Sequence, residues 1–209
     1  MDVTAFFDPK TGTLTYIVSD PQTRDAVIID SVLDFCPRNV RIDTESLKRL
    51  YAHIAQKNLS IRAILDTHAH ADHLSGMARL KERYPEAVTV VGSRFPEVQA
   101  FFTGIFDCKQ LVNQDGSQFD RMLENTAIFD AGSLQIQALH TPGHTPACVT
   151  YKIEDALFTG DAMLMPDSGT GRCDFPNGSA EVLYESVVEQ LYTLPDETRV
   201  FVGHDYQPG

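Results

Sequence analysis

Short apolar blocks separated by polar turns run along most of the chain, and most blocks have the length of a β-strand. Strands are predicted where these blocks are rich in Val, Ile, Leu and Phe and lie between turn residues. The predicted strands are 3–7, 14–18, 26–30, 61–65, 88–91, 126–130, 134–139, 148–153, 156–159 and 199–202. The strand at 26–30 is almost wholly apolar, which predicts burial on both faces.

Apolar residues at helical spacing predict helices between these strands. One helix begins after Asp43 or Thr44, either of which can cap it, and runs to about residue 59. Others are predicted at 74–84, ended by Pro85, and at 181–194, while the weakly patterned stretch 92–123 holds one short helix at 98–106. Strands followed by helices in both halves predict an α/β layered fold. With no linker or repeat in the sequence, residues 1–209 are expected to form one domain.

A dense polar cluster directly follows the strand 61–65: His68, His70, Asp72 and His73. Neutral imidazole is the commonest metal ligand in proteins, and carboxylate suits harder ions. The ordinary alternative is a solvated polar turn, but packing gives no reason to crowd these groups at a strand end. The cluster therefore predicts a metal site on a stiff support.

Three further residues occupy the same type of position, the loop after a predicted strand: His144, Asp161 and His204. Each has a glycine before it, which lets the backbone turn sharply. Singly, each could be a capping residue or a His bonded to a carbonyl group. Several such strand ends rich in His and Asp favour a shared site, because rigid scaffolds place functional groups in such loops.

Net charge and composition limit the classes of partner that the chain is expected to bind. The net charge is -12 and no basic stripe is present, which argues against a nucleic-acid partner. An anionic substrate would need a local basic residue, because the overall field opposes it. Cys36, Cys108, Cys148 and Cys173 form no CxxC pair, no secretory start is visible, and no apolar run approaches the roughly 20 residues of a membrane span. A cytoplasmic protein that does not enter the membrane is expected.

The segment His68-Ala69-His70-Ala71-Asp72-His73, followed in order by His144, Asp161 and His204, resembles the metallo-β-lactamase superfamily. This resemblance implies an αββα sandwich of two mixed sheets flanked by helices, with the metal site at one edge of the sheets. The stretches 141–151, 171–175 and 183–187 are similar to the persulfide dioxygenases. The related glyoxalase II hydrolases share Gly171-Arg172 but usually follow this pair with aromatic residues and a Glu.

The resemblance implies one Fe(2+) per chain, held by His68, His144 and Asp161, with His70, Asp72, His73 and His204 around them as orienting residues. Two imidazoles and one carboxylate form the facial triad of non-haem iron oxygenases, which leaves coordination positions open. The implied reaction converts glutathione persulfide, O2 and water to glutathione and sulfite. Arg172 and Tyr206 are candidate substrate contacts, although Arg172 could equally pair with Asp174 and Tyr206 could be a packed aromatic.

Two other interpretations stay open. In a glyoxalase II-type thioester hydrolase, His68, His70 and His144 would hold one Zn2+, and Asp72, His73 and His204 a second. Asp161 would then bridge the two ions, and a bridging hydroxide would be the nucleophile. A metal-stabilised binding module is less favoured, because structural sites are normally closed by four ligands, often with cysteine.

The sequence departs from the family pattern in three places. Cys173 stands where the dioxygenases more often carry Thr, and the stretch 92–128 is longer than in the shortest members. The sequence stops at Gly209, whereas the family domain normally continues, so part of its C-terminal region is expected to be absent. A close branch, called β-lactamase-hydrolase-like, is fused to a rhodanese domain. A homodimer and a rhodanese partner or fused domain therefore stay open.

Overall fold

The computed structural model describes residues 1–36, 38–70 and 72–206. Its strands are β1 (Asp2–Phe7), β2 (Leu14–Ser19), β3 (Asp25–Ile29), β4 (Val32–Cys36), β5 (Arg41–Asp43), β6 (Ser60–Leu65), β7 (Leu74–Ser75), β8 (Val88–Gly92), β9 (Arg121–Leu123), β10 (Ile128–Ala131), β11 (Leu134–His140), β12 (Val149–Ile153), β13 (Ala156–Gly160) and β14 (Arg199–Val202). Its helices are α1 (Glu45–Lys57), α2 (Met77–Arg83), α3 (Phe95–Ile105) and α4 (Ala180–Ser186), and α4 continues as a π-helical turn, Val187–Leu191. None of the helices in the described part of the chain is long and apolar enough to cross a bilayer.

The strands form two large mixed sheets. The first has the order β1-β2-β3-β6-β8-β9, antiparallel from β1 to β3 and parallel from β3 to β9. The second has the order β10-β11-β12-β13-β14, in which only the β13–β14 pair is parallel. A small third sheet, β5-β4-β7, lies in the connections before and after α1 and the histidine cluster.

Three apolar layers show that helices cover the outer faces of the two sheets. Between the sheets, side chains such as Val27 and Leu65 pack with Ile136 and Phe158. Outside the first sheet, the apolar stripe of α1 and residues of α2 pack on β2, β3 and β6. Outside the second sheet, α4 and its π-helical turn pack on β11 and β13. The predicted αββα sandwich is thus confirmed, and the strand at 26–30 is buried as expected.

The differences from the predicted elements are local. The helix expected at 74–84 begins only at Met77, because Leu74–Ser75 pairs with β4 as strand β7. The expected cap of α1 is also different: neither Asp43 nor Thr44 caps it through its side chain, and Asp34 accepts a hydrogen bond from the Ser46 backbone N–H at 2.9 Å. The helix expected at 181–194 changes to π-helical geometry from Val187.

The strand directions gather the candidate residues at one edge. Strands β3 and β6 are parallel, so the residues after Ile29 and Leu65 leave the first sheet on the same side. Strands β11, β13 and β14 run in one common direction, because β12 is antiparallel to both of its neighbours. The loops after these strands carry His144, Asp161 and His204.

Two tyrosines join the sheets just behind this edge. The Tyr16 hydroxyl, from the first sheet, donates to the carbonyl of Val202 at 2.7 Å. The Tyr151 hydroxyl, from the second sheet, donates to the carbonyl of Asp66 at 3.0 Å. Burial is the main cause that raises the pKa of both phenols above 10, so each remains a donor. Each sheet therefore anchors the segment of the other that precedes a candidate ligand.

Candidate metal centre

His68, His144 and Asp161 are all buried and face one another at the sheet edge. The Oδ2 atom of Asp161 lies 3.8 Å from His68 Nε2 and 3.6 Å from His144 Nε2. Both separations exceed a hydrogen-bond distance, so these three atoms surround a common space without bonding across it. Of the candidate residues, these three form one group of potential metal donors, with ligand atoms all within 4.8 Å of one another.

Hydrogen bonds fix the orientation of both imidazoles. His68 Nδ1 lies 2.9 Å from Thr67 Oγ1, whose own proton is donated to Asp30 Oδ2 at 2.8 Å. His144 Nδ1 lies 2.6 Å from the carbonyl oxygen of Arg172. Because both partners act as acceptors, each Nδ1 carries a proton, which leaves Nε2 as the ring atom that each histidine can offer to a metal. Burial, followed by the charge of His70, lowers the pKa of His68 to about 3, so this ring is neutral.

His204 has a different state although it also touches Asp161. Its Nδ1 is 2.6 Å from Asp161 Oδ1, and its Nε2 is 2.9 Å from Asp72 Oδ2. Ionised carboxylates only accept hydrogen bonds, so both ring nitrogens carry protons. Burial alone would lower the pKa of His204, but the hydrogen bonds to the two carboxylates and their charges outweigh it and raise the pKa to about 10. The cation in turn helps to hold the pKa of Asp161 below its usual range, against the effect of burial.

His70 contacts Asp30, the residue that follows β3. His70 Nε2 lies 3.2 Å from Asp30 Oδ1, and the same oxygen accepts the Thr67 backbone N–H at 2.7 Å. Burial would lower the pKa of His70, but the charge of Asp30 and this hydrogen bond raise it to about 9. Within the described part of the chain, His70 Nδ1 and His73 Nε2 are buried without a hydrogen-bond partner.

A second group of potential donors consists of His70, Asp72 and His73. His73 Nδ1 lies 2.9 Å from the carbonyl of Leu74, and the rings of His70 and His73 are 4.2 Å apart. Burial, followed by the charge of His70, lowers the pKa of His73 to about 4. The seven predicted site residues thus lie together but separate into two groups, with His204 between them.

Glycine makes the close approach at two of these loops sterically feasible. Gly160 has φ +51°, and a Cβ there would overlap Thr67 Oγ1, the group that orients His68. A Cβ at Gly171 would lie 3.0 Å from His144 Nδ1 and closer still to the Asp161 backbone. The glycines noted in the sequence therefore let the loops pack side by side.

A cleft of about 350 Å³ opens over the first group of donors. Its walls include Leu164, Thr170, Arg172 and Tyr206. The Arg172 side chain is 70% exposed and its Nε lies 3.4 Å from Asp174 Oδ1, so the predicted ion pair is present at the mouth of the cleft. Tyr206 is 57% exposed and stacks on His204 with ring centroids 5.2 Å apart.

Three contributors were missed by sequence reasoning: Asp30, Thr67 and the backbone carbonyl of Arg172. Asp30 ends a predicted strand, as the other candidates do, and its buried carboxylate holds both Thr67 and His70. Its position at the end of a predicted strand is the feature from which its role could have been predicted. The carbonyl of Arg172 had no signal, because a backbone contact between distant loops leaves no trace in residue type.

Comparison with known proteins decides the family. The sequence model of the Metallo-beta-lactamase superfamily matches residues 9–204, which include every candidate ligand and all but one of the other candidate site residues. The chain belongs to the metallo-β-lactamase superfamily. Within it, the crystal structure of ETHE1 from Myxococcus xanthus has a TM-score of 0.79 and 36% identity, covering 99% of this chain and 77% of that one.

Relatives of this superfamily member carry different names. "Glyoxylase B2" of Dictyostelium discoideum is 45% identical over 99% of this chain and 70% of its own length. "Beta-lactamase hydrolase-like protein" of Xylella fastidiosa is 44% identical over 99% of this chain but only 47% of its own length. "Persulfide dioxygenase ETHE1, mitochondrial" of Bos taurus is 35% identical over 96% of this chain and 66% of its own length. This chain therefore spans about half the length of the Xylella relative.

Proposed function

We propose that residues 1–209 form the catalytic domain of a persulfide dioxygenase that uses one Fe(2+) held by His68, His144 and Asp161. The observation that carries the proposal is the separation of donors. His68 and His144 present Nε2 to one carboxylate oxygen, whereas carboxylates raise the pKa values of His70 and His204 and keep both rings protonated. This donor set fits a single iron with three protein ligands.

Iron bound there would supply the redox centre at which O2 oxidises the persulfide sulfur. In the overall reaction, glutathione persulfide, O2 and water give glutathione, sulfite and two protons. The sulfane sulfur loses four electrons and O2 gains four. The chain's own residues orient the ligands: Thr67 and the Arg172 carbonyl fix the two rings, and His204 Nδ1–H holds Asp161 Oδ1.

The size and the lining of the cleft favour a small substrate with both polar and apolar parts, such as glutathione persulfide. Its volume of about 350 Å³ falls in the range of small-molecule sites. Arg172 at the mouth is a local positive group that a substrate carboxylate could share with Asp174, and Tyr206 offers an exposed ring. Cys173 lines a different depression, beside Leu183 and Val187. Its thiol therefore has no role in the proposed reaction.

Metal analysis and oxygen uptake test this function. The protein should be expressed in minimal medium supplied with both iron and zinc, purified without air, and analysed for both metals. One iron per chain, oxygen uptake only when glutathione persulfide is added, and stoichiometric sulfite are expected. Hydrolysis of S-lactoylglutathione without oxygen uptake would overturn the assignment.

A dinuclear zinc thioester hydrolase is the second candidate function. Two observations favour it: a relative is named "Glyoxylase B2", and His70, Asp72 and His73 form a further donor group beside the first. It requires His70 and His204 each to give up a ring proton, after which His70 would bind the metal through Nδ1 and keep its Nε2 bond to Asp30. Two zinc ions per chain, both lost together on dialysis against a chelator, would favour this alternative.

A further inference from the structure

Thr13 lies at the candidate centre although neither its residue type nor the motif pattern marks it. It comes immediately before β2, and β2 is antiparallel to β3, so its start lies at the same sheet edge as Asp30. Its side chain is fully buried. The backbone N–H of Leu14 donates to Gly203 O at 2.8 Å, and that of Asp205 donates to Gly12 O at 2.9 Å. These bonds hold the turn before β2 against the segment that carries His204.

The Thr13 hydroxyl contacts both groups that hold the ring of His204. It donates to Asp72 Oδ2 at 3.1 Å, and its oxygen lies 3.2 Å from His204 Nε2. His204 Nε2 carries a proton, so the hydroxyl oxygen accepts from it while its own proton serves the carboxylate. Thr13, Asp72 and His204 therefore form a closed triangle of hydrogen-bonding groups.

The triangle continues into the turn between β1 and β2. Thr11 Oγ1 is 2.7 Å from Thr13 Oγ1 and donates to Asp8 Oδ2 at 2.7 Å. Asp8 is itself buried. Each hydroxyl has one proton and the two carboxylates can only accept, so the contact between Thr11 and Thr13 shares one of these protons with a carboxylate.

Only one more hydrogen bond separates this network of side chains from the donor group. His204 Nδ1 holds Asp161 Oδ1 at 2.6 Å, and that contact leaves Oδ2 directed at His68 and His144. If the ring of His204 turned, Asp161 would be free to rotate and to offer either oxygen. Partners of this kind, one step behind a ligand, tune metal affinity by orienting it.

We propose that Thr13 is a positioning residue, which through His204 fixes the Asp161 oxygen that faces His68 and His144, with Thr11 and Asp8 supporting it. This inference rests on the proposed metal centre but not on the identity of the metal. Thr13 does not itself line the cleft, but both of its partners, Asp72 and His204, do, so it acts on the centre through them.

Thr13→Val and Thr13→Ser test the inference by metal affinity, measured without air by competition with a chelator, for Fe(2+) and separately for Zn2+. Thr13→Val keeps the shape and removes the hydroxyl, and should weaken binding about tenfold, within the usual range for such partners. Thr13→Ser keeps the hydroxyl and should restore most of the affinity. Thr11→Val should give a smaller loss, about threefold. Thr103→Val, which removes a buried hydroxyl that donates to backbone carbonyls of α3, is the matched control.

The outcomes separate this inference from the proposed function. Unchanged affinity in Thr13→Val overturns it, and so does an equal loss in Thr13→Val and Thr13→Ser together with an equal fall in urea stability. If Thr13→Val does not fold, an unchanged affinity in Thr11→Val overturns it instead. A wild-type protein that binds zinc but not iron defeats the dioxygenase, while the zinc titrations still decide the role of Thr13. A wild type that binds neither metal overturns both.

Discussion

The two halves of the candidate centre carry similar side chains in opposite states. In one half, His68 and His144 each have Nδ1 hydrogen-bonded to an oxygen atom and Nε2 facing Asp161. In the other half, His70 and His204 have raised pKa values and donate hydrogen bonds to carboxylates. The difference comes from the residue behind each ring: a hydroxyl or carbonyl oxygen in the first half and a buried carboxylate in the second. An inventory of His and Asp therefore does not define a metal site until those partners are known.

The largest expected effect comes from breaking the first half. His144→Ala removes one of the two open imidazoles and should lower iron affinity by a thousandfold or more, on the order of 4 kcal/mol, with loss of activity. Equilibrium dialysis and oxygen uptake measure this. His53→Ala, at a half-buried ring that packs against Phe6 outside the centre, is the control and should bind iron as the wild type does. Full iron occupancy in His144→Ala would contradict the proposed ligand set.

Removing the Asp30 carboxylate, which holds His70 in the second half, should mainly lower the stability of the fold. Asp30→Ala leaves the Thr67 backbone N–H and the protonated His70 without their buried acceptor, which should cost about 3 kcal/mol of unfolding free energy. Urea denaturation of the metal-free protein gives this value directly. Asp130→Ala, at an exposed aspartate on β10, should stay within about 0.5 kcal/mol of wild type. A similar stability for both variants would show that Asp30 does not anchor the cluster.

His70→Ala sharpens the comparison between the halves. If His70 only orients its neighbours, the variant should keep one iron with affinity reduced about 10- to 100-fold. Metal content after gel filtration and a chelator titration distinguish this from loss of a ligand. Iron retention close to that of His144→Ala would place His70 among the ligands and favour the dinuclear alternative.

The smallest effect is expected at the mouth of the cleft. Arg172→Met removes an exposed guanidinium that is paired with Asp174, so KM for glutathione persulfide should rise only about two- to fivefold with kcat unchanged. Steady-state oxygen uptake separates the two constants. A tenfold fall in kcat would mean that Arg172 acts on the reacting atoms instead of on substrate binding.

Local patterns predicted a layered α/β fold with candidate ligands at strand ends, whereas the sandwich and its shared edge were implied by the family resemblance. The long apolar strands are recognisable alone, and His68, His144 and Asp161 each follow one of them. Strand β7 was not predictable, because Leu74–Ser75 becomes a strand only by pairing with β4, which is distant in sequence. The states of His70 and His204 were likewise hidden, since each depends on a carboxylate from another strand end.

The reciprocal tyrosine bonds carry a consequence for the geometry of the centre. His68 belongs to one sheet, whereas His144 and Asp161 belong to the other, so any sliding between the layers would change the spacing of the three donors. Tyr16 and Tyr151 oppose that sliding, because the hydroxyl of each is bonded to the backbone of the other layer. The packing between the sheets therefore helps to set the geometry of the cleft. Phenol groups in the core influence the distance between two imidazoles that they do not contact.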